Sequence, residues 1–359
     1  MTKILAVGTA VPIHAHAQNQ IMDFMQRVYA LDETGNRKLR YLYRQGGIHT
    51  RYSVIPDYSL PAADWQFFPA SENLEPFPNL DTRMAWYKKH AATLSLSAID
   101  KCLADHRDKK ITHLITVSCT GMSAPGLDIE LIRAMGLPPG THRQSINFMG
   151  CYAAVHALKM ADAFCKADAT ANVLIVCTEL CTLHFQKESS PDSITSSMLF
   201  GDGSAAVLVS GNENAEGIRI DHFYGIIADK GIDDMSWQLS TKGFLMTLSS
   251  YVPALIEEDF GSLVDEALSS ASVTRADISN WCIHPGGKKI LEAVSKSMGL
   301  ADGSLDSSYE VLEEYGNMSS PTILFVLDKM INGNQPVKGK IFGAAFGPGL
   351  TMETFILSA

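Results

Sequence analysis

The chain lacks three features, each of which would have assigned it to a common class at once. No stretch approaches the ~20 consecutive apolar residues needed to span a bilayer, so no membrane span is expected. There is no basic surplus either: 29 lysines and arginines stand against 39 aspartates and glutamates, a net charge of -10. That balance supplies no phosphate-tracking face and argues against a nucleic-acid partner. Nor is there a cysteine framework. Cys102, Cys119, Cys151, Cys165, Cys177, Cys181 and Cys282 are an odd set, lying mostly inside apolar runs. They read as reduced thiols of a cytoplasmic protein. Cys177 and Cys181 imitate a metal pair but have no matching second pair, so buried structural cysteine is the reading and no metal is expected. Lys3, the apolar run to Ile13 and Ala15-His16-Ala17 imitate a secretory leader. Gly8 and Pro12 interrupt that run, and Lys3–Gly8 reads as a first strand.

What is present is a folded chain of 359 residues, 46% hydrophobic and 19% charged, longer than one core usually serves. Short β-rich apolar runs at 4–7, 113–118, 172–177 and 205–210 alternate with helical stretches at 84–103 and 152–164. The polar turn Gly211-Asn212-Glu213-Asn214 suggests a division into 1–212 and 213–359. Beyond it, strands are expected at 218–224, 280–283, 340–345 and 351–357, with helices at 253–270, 288–298 and 321–331. Alternation of this kind implies an α/β architecture on largely parallel, buried sheets.

Three turns carry chemistry. Cys151 follows Gly150 and precedes an apolar helical run, so it falls at a helix N-terminus, where free N–H groups and the dipole favour a thiolate nucleophile. An ordinary buried cysteine fits that segment too. His284 ends a strand before Pro285-Gly286-Gly287, a position suited to acid/base or oxyanion work, or to a merely structural histidine. Asn317, in Tyr315-Gly316-Asn317-Met318-Ser319-Ser320-Pro321, can cap the next helix or donate to a developing enolate.

Cys, His and Asn in this order, each at a strand–helix turn, resemble the type III polyketide synthases, the chalcone synthase-like branch of the thiolase fold. Leu199-Phe200-Gly201-Asp202-Gly203-Ser204-Ala205-Ala206 and Ala345-Phe346-Gly347-Pro348-Gly349-Leu350-Thr351 support the match, which runs from about Lys3 to the C-terminus. The resemblance implies two similar βαβαβαββ-type halves in α/β/α/β/α layers, the first carrying the Cys and the second the His and Asn. It implies an acyl-CoA starter loaded on Cys151 and repeated decarboxylative condensation with malonyl-CoA. His284 and Asn317 polarise the malonyl thioester, and no cofactor is required. A pyrone, resorcinol or phloroglucinol product is implied.

Position by position, Phe200 matches a gatekeeper aromatic. Met246 stands where the family has a second phenylalanine, with Phe244 nearby. Thr120, Cys181, His184 and Ser319 match cavity-lining positions, and Phe346, Gly347 and Pro348 match the loop that shapes the cavity. Ala345 replaces that loop's first glycine. Lys38 matches a CoA phosphate ligand. Tyr41 and Gln45 fall where basic residues are usual, so Arg40 and Arg44 are expected to serve instead; Gly286 and Gly287 admit the pantetheine. The family's homodimer is also implied, although Ala124 stands where a methionine is usual. A ketoacyl synthase using malonyl-carrier protein shares the triad and fold, and a silent acyl-CoA-binding protein is the reading from another class. No glutamate is placed as the general base of a hydroxymethylglutaryl-CoA synthase.

Overall fold

A computed structural model describes residues 1–71, 73–333 and 337–359. The chain begins β1 (Lys3–Ala10), β2 (His14–Ala17), α1 (Gln18–Tyr29), α2 (Glu33–Gln45) and β3 (Thr50–Ser53). Then come α3 (Leu80–Cys102), β4 (His113–Ser118), α4 (Leu127–Met135), β5 (His142–Asn147), α5 (Ala153–Ala167), β6 (Asn172–Leu180), α6 (Pro191–Leu199) and β7 (Asp202–Ser210). The remainder is β8 (Ile218–Ile227), β9 (Met235–Ser240), β10 (Gly243–Leu248), α7 (Val252–Ser270), β11 (Ile278–Ile283), α8 (Lys288–Met298), α9 (Asp306–Tyr315), α10 (Thr322–Ile331), β12 (Lys340–Gly347) and β13 (Thr351–Ser358).

Nine strands form one hydrogen-bonded series, β11-β12-β13-β8-β1-β7-β6-β4-β5. Strands from before residue 212 fill one side and those from after it the other. They meet where Lys3 and Ile4 of β1 pair with Arg219 and Ile218 of β8. The expectation of largely parallel sheets is corrected here. Among the described strands of this sheet only β4·β5, β4·β6 and β11·β12 are parallel. The pairs β1·β7, β1·β8, β6·β7, β8·β13 and β12·β13 are antiparallel. For β12·β13 the reason is connection length: three residues join the two strands, and a parallel return needs a crossover of a dozen or more. Both pairing types bury these strands on two faces, so apolar runs alone do not separate them.

The buried side chains divide into two clusters, and the division gives the layers. Ala153, Ala157, Leu158 and Ala161 of α5 share one cluster with Ile323, Val326 and Leu327 of α10. It is bounded by Ile115, Val117, Ile175 and Val207 of the first half and by Cys282, Ile341 and Phe355 of the second. The opposite sheet faces, with Leu114, Leu174 and Leu208 on one side and Phe342, Ala344 and Ile356 on the other, lie in the cluster that includes α3, α7 and α8. Two helices are therefore sandwiched between two sheet halves whose outer faces carry helices. Ala-rich α5 suits that central layer, since small side chains let both sheets approach it.

Two small pairings lie outside the large sheet: β2·β3, and the β9·β10 hairpin in which Trp237 faces Met246. Neither is signalled by turn residues in the sequence; the hairpin turns at Thr241-Lys242 with no Asn-Gly or Asp-Gly. β5, HRQSIN, is polar because it is an edge strand.

Candidate active site

Cys151 sits in a single 3-10 turn, Gly150–Tyr152, that runs straight into α5. Gly150 adopts a φ of 79°, and a Cβ there would lie 2.4 Å from Pro348 Cδ. Gly347 meets the same turn from the other half: a Cβ on it would lie 2.6 Å from Tyr152 Cδ1 and 3.4 Å from Cys151 N. The two glycines let the β12–β13 loop close on Cys151.

His284 follows the last residue of β11, and its N–H continues the ladder to Ala344 O at 2.9 Å. Its ring is buried, 1% exposed, and neither ring nitrogen has a hydrogen-bond partner among the described residues. Burial holds its pKa down at about 3. A buried imidazole with both nitrogens free is costly unless a ligand satisfies it.

Asn317 lies between α9 and α10. Its Oδ1 accepts from Ser319 N at 2.8 Å and Thr322 Oγ1 at 3.4 Å, while Nδ2 donates to Gly286 O at 3.3 Å. Those bonds fix the amide plane and leave one N–H for another acceptor. Cys151 Sγ is 3.9 Å from Asn317 Oδ1 and 3.6 Å from Ser319 Oγ. The capping reading of this segment finds no counterpart: Pro321 occupies the N-cap of α10 without a side-chain bond, and Ser320 Oγ turns to Glu179.

Cys151, His284 and Asn317 line one cavity of about 580 Å³. Thr120, Cys181, His184, Phe200, Met246 and Ser319 line it too, as do Phe346, Pro348, Gly286 and Gly287. Gly347 lies behind the lining, under Cys151. Lys38, Arg40 and Arg44 are not in the wall. Lys38 borders a separate depression with Arg37, Tyr41 and Leu42, and Arg44 is exposed on α2. Besides the buried Arg51, the cations that border the main cavity are Lys288, half-buried, and Lys289, exposed, at the start of α8. The sequence carried a signal for them, two lysines immediately after Gly286-Gly287.

Burial sets the electrostatics. It pushes the Cys151 thiol up to about 11, while the Ser319 and Asn317 contacts pull the other way. Burial thus outweighs the helix-terminus effect expected from the sequence, and thiol and imidazole are each held neutral when taken alone. His184 is neutral for the same reason, at about 3. Its Nε2 is 2.7 Å from Thr120 O and its Nδ1 accepts from Phe244 N at 3.0 Å, which assigns the proton to Nε2. Both nitrogens are consumed, so His184 narrows the cavity without offering it a free polar atom. Its ring stacks on Phe244 at 4.2 Å, and Trp237, also in the wall, meets both rings edge-on.

Glu179 was not singled out by sequence reasoning. It is fully buried and accepts from Cys119 N (2.9 Å), Thr120 Oγ1 (2.7 Å) and Ser320 Oγ (2.7 Å). Burial raises its pKa to about 7, and those bonds oppose the rise. A lone carboxylate in the apolar strand NVLIVCTEL was the available signal.

Comparison with known proteins agrees with this geometry. Residues 1–213 match the chalcone and stilbene synthase N-terminal domain and residues 227–359 the corresponding C-terminal domain. The chain is 29% identical to a putative chalcone synthase of Bacillus subtilis, covering 100% of this chain and 99% of that protein. It is 28% identical to the alpha-pyrone synthesis polyketide synthase-like Pks18 of Mycobacterium tuberculosis, over 98% and 89%. A probable polyketide synthase 1 of Dictyostelium discoideum is 30% identical over 98% of this chain, which spans 11% of that longer protein. Among solved structures, PKS-I of the brown alga Ectocarpus siliculosus superposes with a TM-score of 0.92 at 27% identity, over 99% of this chain and 98% of that one. The C-terminal type III domain of Dictyostelium Steely1 gives 0.92 at 28%, over 99% of both. With both domains matched and a thiolase-like fold throughout, the chain belongs to the chalcone and stilbene synthase family: it is a type III polyketide synthase, an acyltransferase that forms carbon–carbon bonds.

Proposed function

We propose that Cys151 takes an acyl group from a CoA starter and that the enzyme extends it repeatedly with malonyl-CoA. The observation that carries this reading is the convergence of Cys151, His284 and Asn317 on one cavity, with the ring nitrogens of His284 unpartnered. His284 accepts the thiol proton as Sγ attacks the starter thioester, and CoA leaves as its thiol. The charged pair so formed offsets part of the burial cost that each charge meets alone. In the second half-reaction neutral His284, through an N–H, and Asn317 Nδ2 donate to the malonyl thioester oxygen. Carbon dioxide departs and the resulting enolate attacks the acyl carbon on Cys151, freeing the sulfur. Decarboxylation itself supplies the carbanion, so this route calls on no metal or redox group. Phe200 and Met246 flank the entry to the cavity, and Gly286 and Gly287 pass the pantetheine. Lys288 and Lys289 are the cations in place for the CoA phosphates.

Release as a pyrone is supported by the name of the Mycobacterium relative at 28% identity; resorcinol and phloroglucinol products are the other outcomes of the same chemistry. The reading includes a cytoplasmic homodimer, testable by light scattering against the 39.1 kDa chain mass. The decisive experiment is mass spectrometry of products from purified enzyme, malonyl-CoA and short, long and aromatic acyl-CoAs, with Cys151→Ala in parallel. Product from CoA esters alone, lost in the variant, is expected. A single condensation that occurs only with malonyl-carrier protein would sink the proposal.

A further inference from the structure

Arg51 of β3 is 3% exposed; among the described residues its hydrogen bonds go to neutral oxygens and its Nη2 has no partner. Its Nε donates to Gln18 Oε1 at 2.9 Å and its Nη1 to Phe200 O at 2.7 Å. Gln18, at the start of α1, donates from Nε2 to Met198 O at 2.9 Å. The pair therefore grips two carbonyls at the end of α6. Two residues on, the buried Asp202 accepts from Val54 N and Thr182 N, both at 2.8 Å, so the segment Phe200–Asp202 is held against 51–54 at both ends.

The gripped segment is also the partner of Asn317. Asn317 N donates to Leu199 O and Gly201 N donates to Asn317 O, both at 2.9 Å, which makes a one-residue parallel bridge between Phe200 and Asn317. The stem of Arg51 touches the far side of that bridge. Gly316 has a φ of 70°, and a Cβ there would lie 3.0 Å from Arg51 Cγ and Cδ and 2.7 Å from Leu199 O. A buried guanidinium is expensive; among the described residues it makes no salt bridge, and the buried Asp202 nearby favours its charge without pairing with it, so what it bonds and packs against is the backbone of the bridge.

We propose that Arg51, seated by Gln18, is a positioning residue that fixes the Phe200–Asn317 bridge and thereby sets the gatekeeper ring and the Asn317 amide relative to one another. The inference rests on the proposed role of Asn317 in decarboxylation. Catalytic geometry tolerates little displacement, so loosening the bridge should harm the step that uses Asn317 and spare the one that does not.

The test compares Arg51→Met, which keeps the apolar stem, and Arg51→Lys with the parent enzyme; Gln18→Leu serves if Arg51→Met does not fold. In Arg51→Met, amide hydrogen exchange in peptides spanning 198–203 and 315–320 should rise about tenfold. Malonyl-CoA decarboxylation should fall about ten- to a hundredfold while acylation of Cys151 stays within about twofold, with partial recovery in Arg51→Lys. Unchanged exchange in both peptides, or equal loss in the two half-reactions, overturns the positioning role. Asn317→Ala, run alongside, separates the two readings. Parent-like decarboxylation in that variant removes the catalytic role of Asn317, whereas exchange in the Arg51 variants reports on the clamp directly.

Discussion

Trp237 stands directly opposite Met246 across the β9–β10 hairpin, and its indole N–H donates to Cys119 O at 2.7 Å. The flexible Met246 therefore works beside a wall that does not move with it, since His184, Phe244 and Trp237 brace one another. In Trp237→Ala this wall retreats. Products should shift to longer starters or more extensions, read by mass spectrometry, at a stability cost of about 2 kcal/mol. An unchanged product spectrum would place the limit on chain length elsewhere in the cavity.

Lys288 and Lys289 border the cavity, whereas Arg40 and Arg44 do not. Reversing both charges, Lys288→Glu with Lys289→Glu, should raise KM for malonyl-CoA about tenfold at low salt and leave kcat within about twofold. The effect should shrink as salt is added. Neutralising Arg40 and Arg44 should do less, and a larger effect from that pair would return the phosphate site to α2.

Gly347 has extended backbone, φ -173°, which any residue adopts, so its constraint is space alone. Gly347→Ala drives a methyl into the Tyr152 ring and toward the amide of Cys151. A loss of about 2 kcal/mol is expected. Acylation of Cys151 should slow about tenfold or more as the turn shifts. Acylation at the parent rate would show that the loop yields without disturbing the nucleophile.

Glu179 ionises near 7 in the folded protein and has an ordinary value of 4.5. Its ionisation opposes folding. The cost is absent below 4.5, grows as pH rises toward 7 and is complete above that, at about 3 kcal/mol. Glu179→Gln removes the charge and keeps the shape. Urea unfolding should find the variant gaining on the parent between pH 5 and pH 8, and parallel curves would show that the carboxyl titrates normally.

Much of this protein was legible in its residues because the signals were local. Cys151 and Asn317 each follow a glycine and His284 stands two residues before one, and glycine turns at strand–helix junctions leave the same mark in any chain. The buried strands announced themselves by composition, and β4, β6, β8, β11 and α8 fall close to where the sequence put them. What composition does not carry is direction and distance. Parallel and antiparallel pairing bury the same apolar faces, so the mixed order of the large sheet depends on connections that only the folded chain fixes. Trp237 reaches Cys119 across 118 residues and Arg51 reaches Phe200 across 149; no local propensity encodes such contacts. The state of the Cys151 thiol was decided in the same way. A helix N-terminus argues for a thiolate, but the packing of both halves around Cys151 removes water, and desolvation is the larger effect. The sequence by itself determined which side chains are candidates for the chemistry; the tertiary structure decided how they are held, what surrounds them and which charges they can bear.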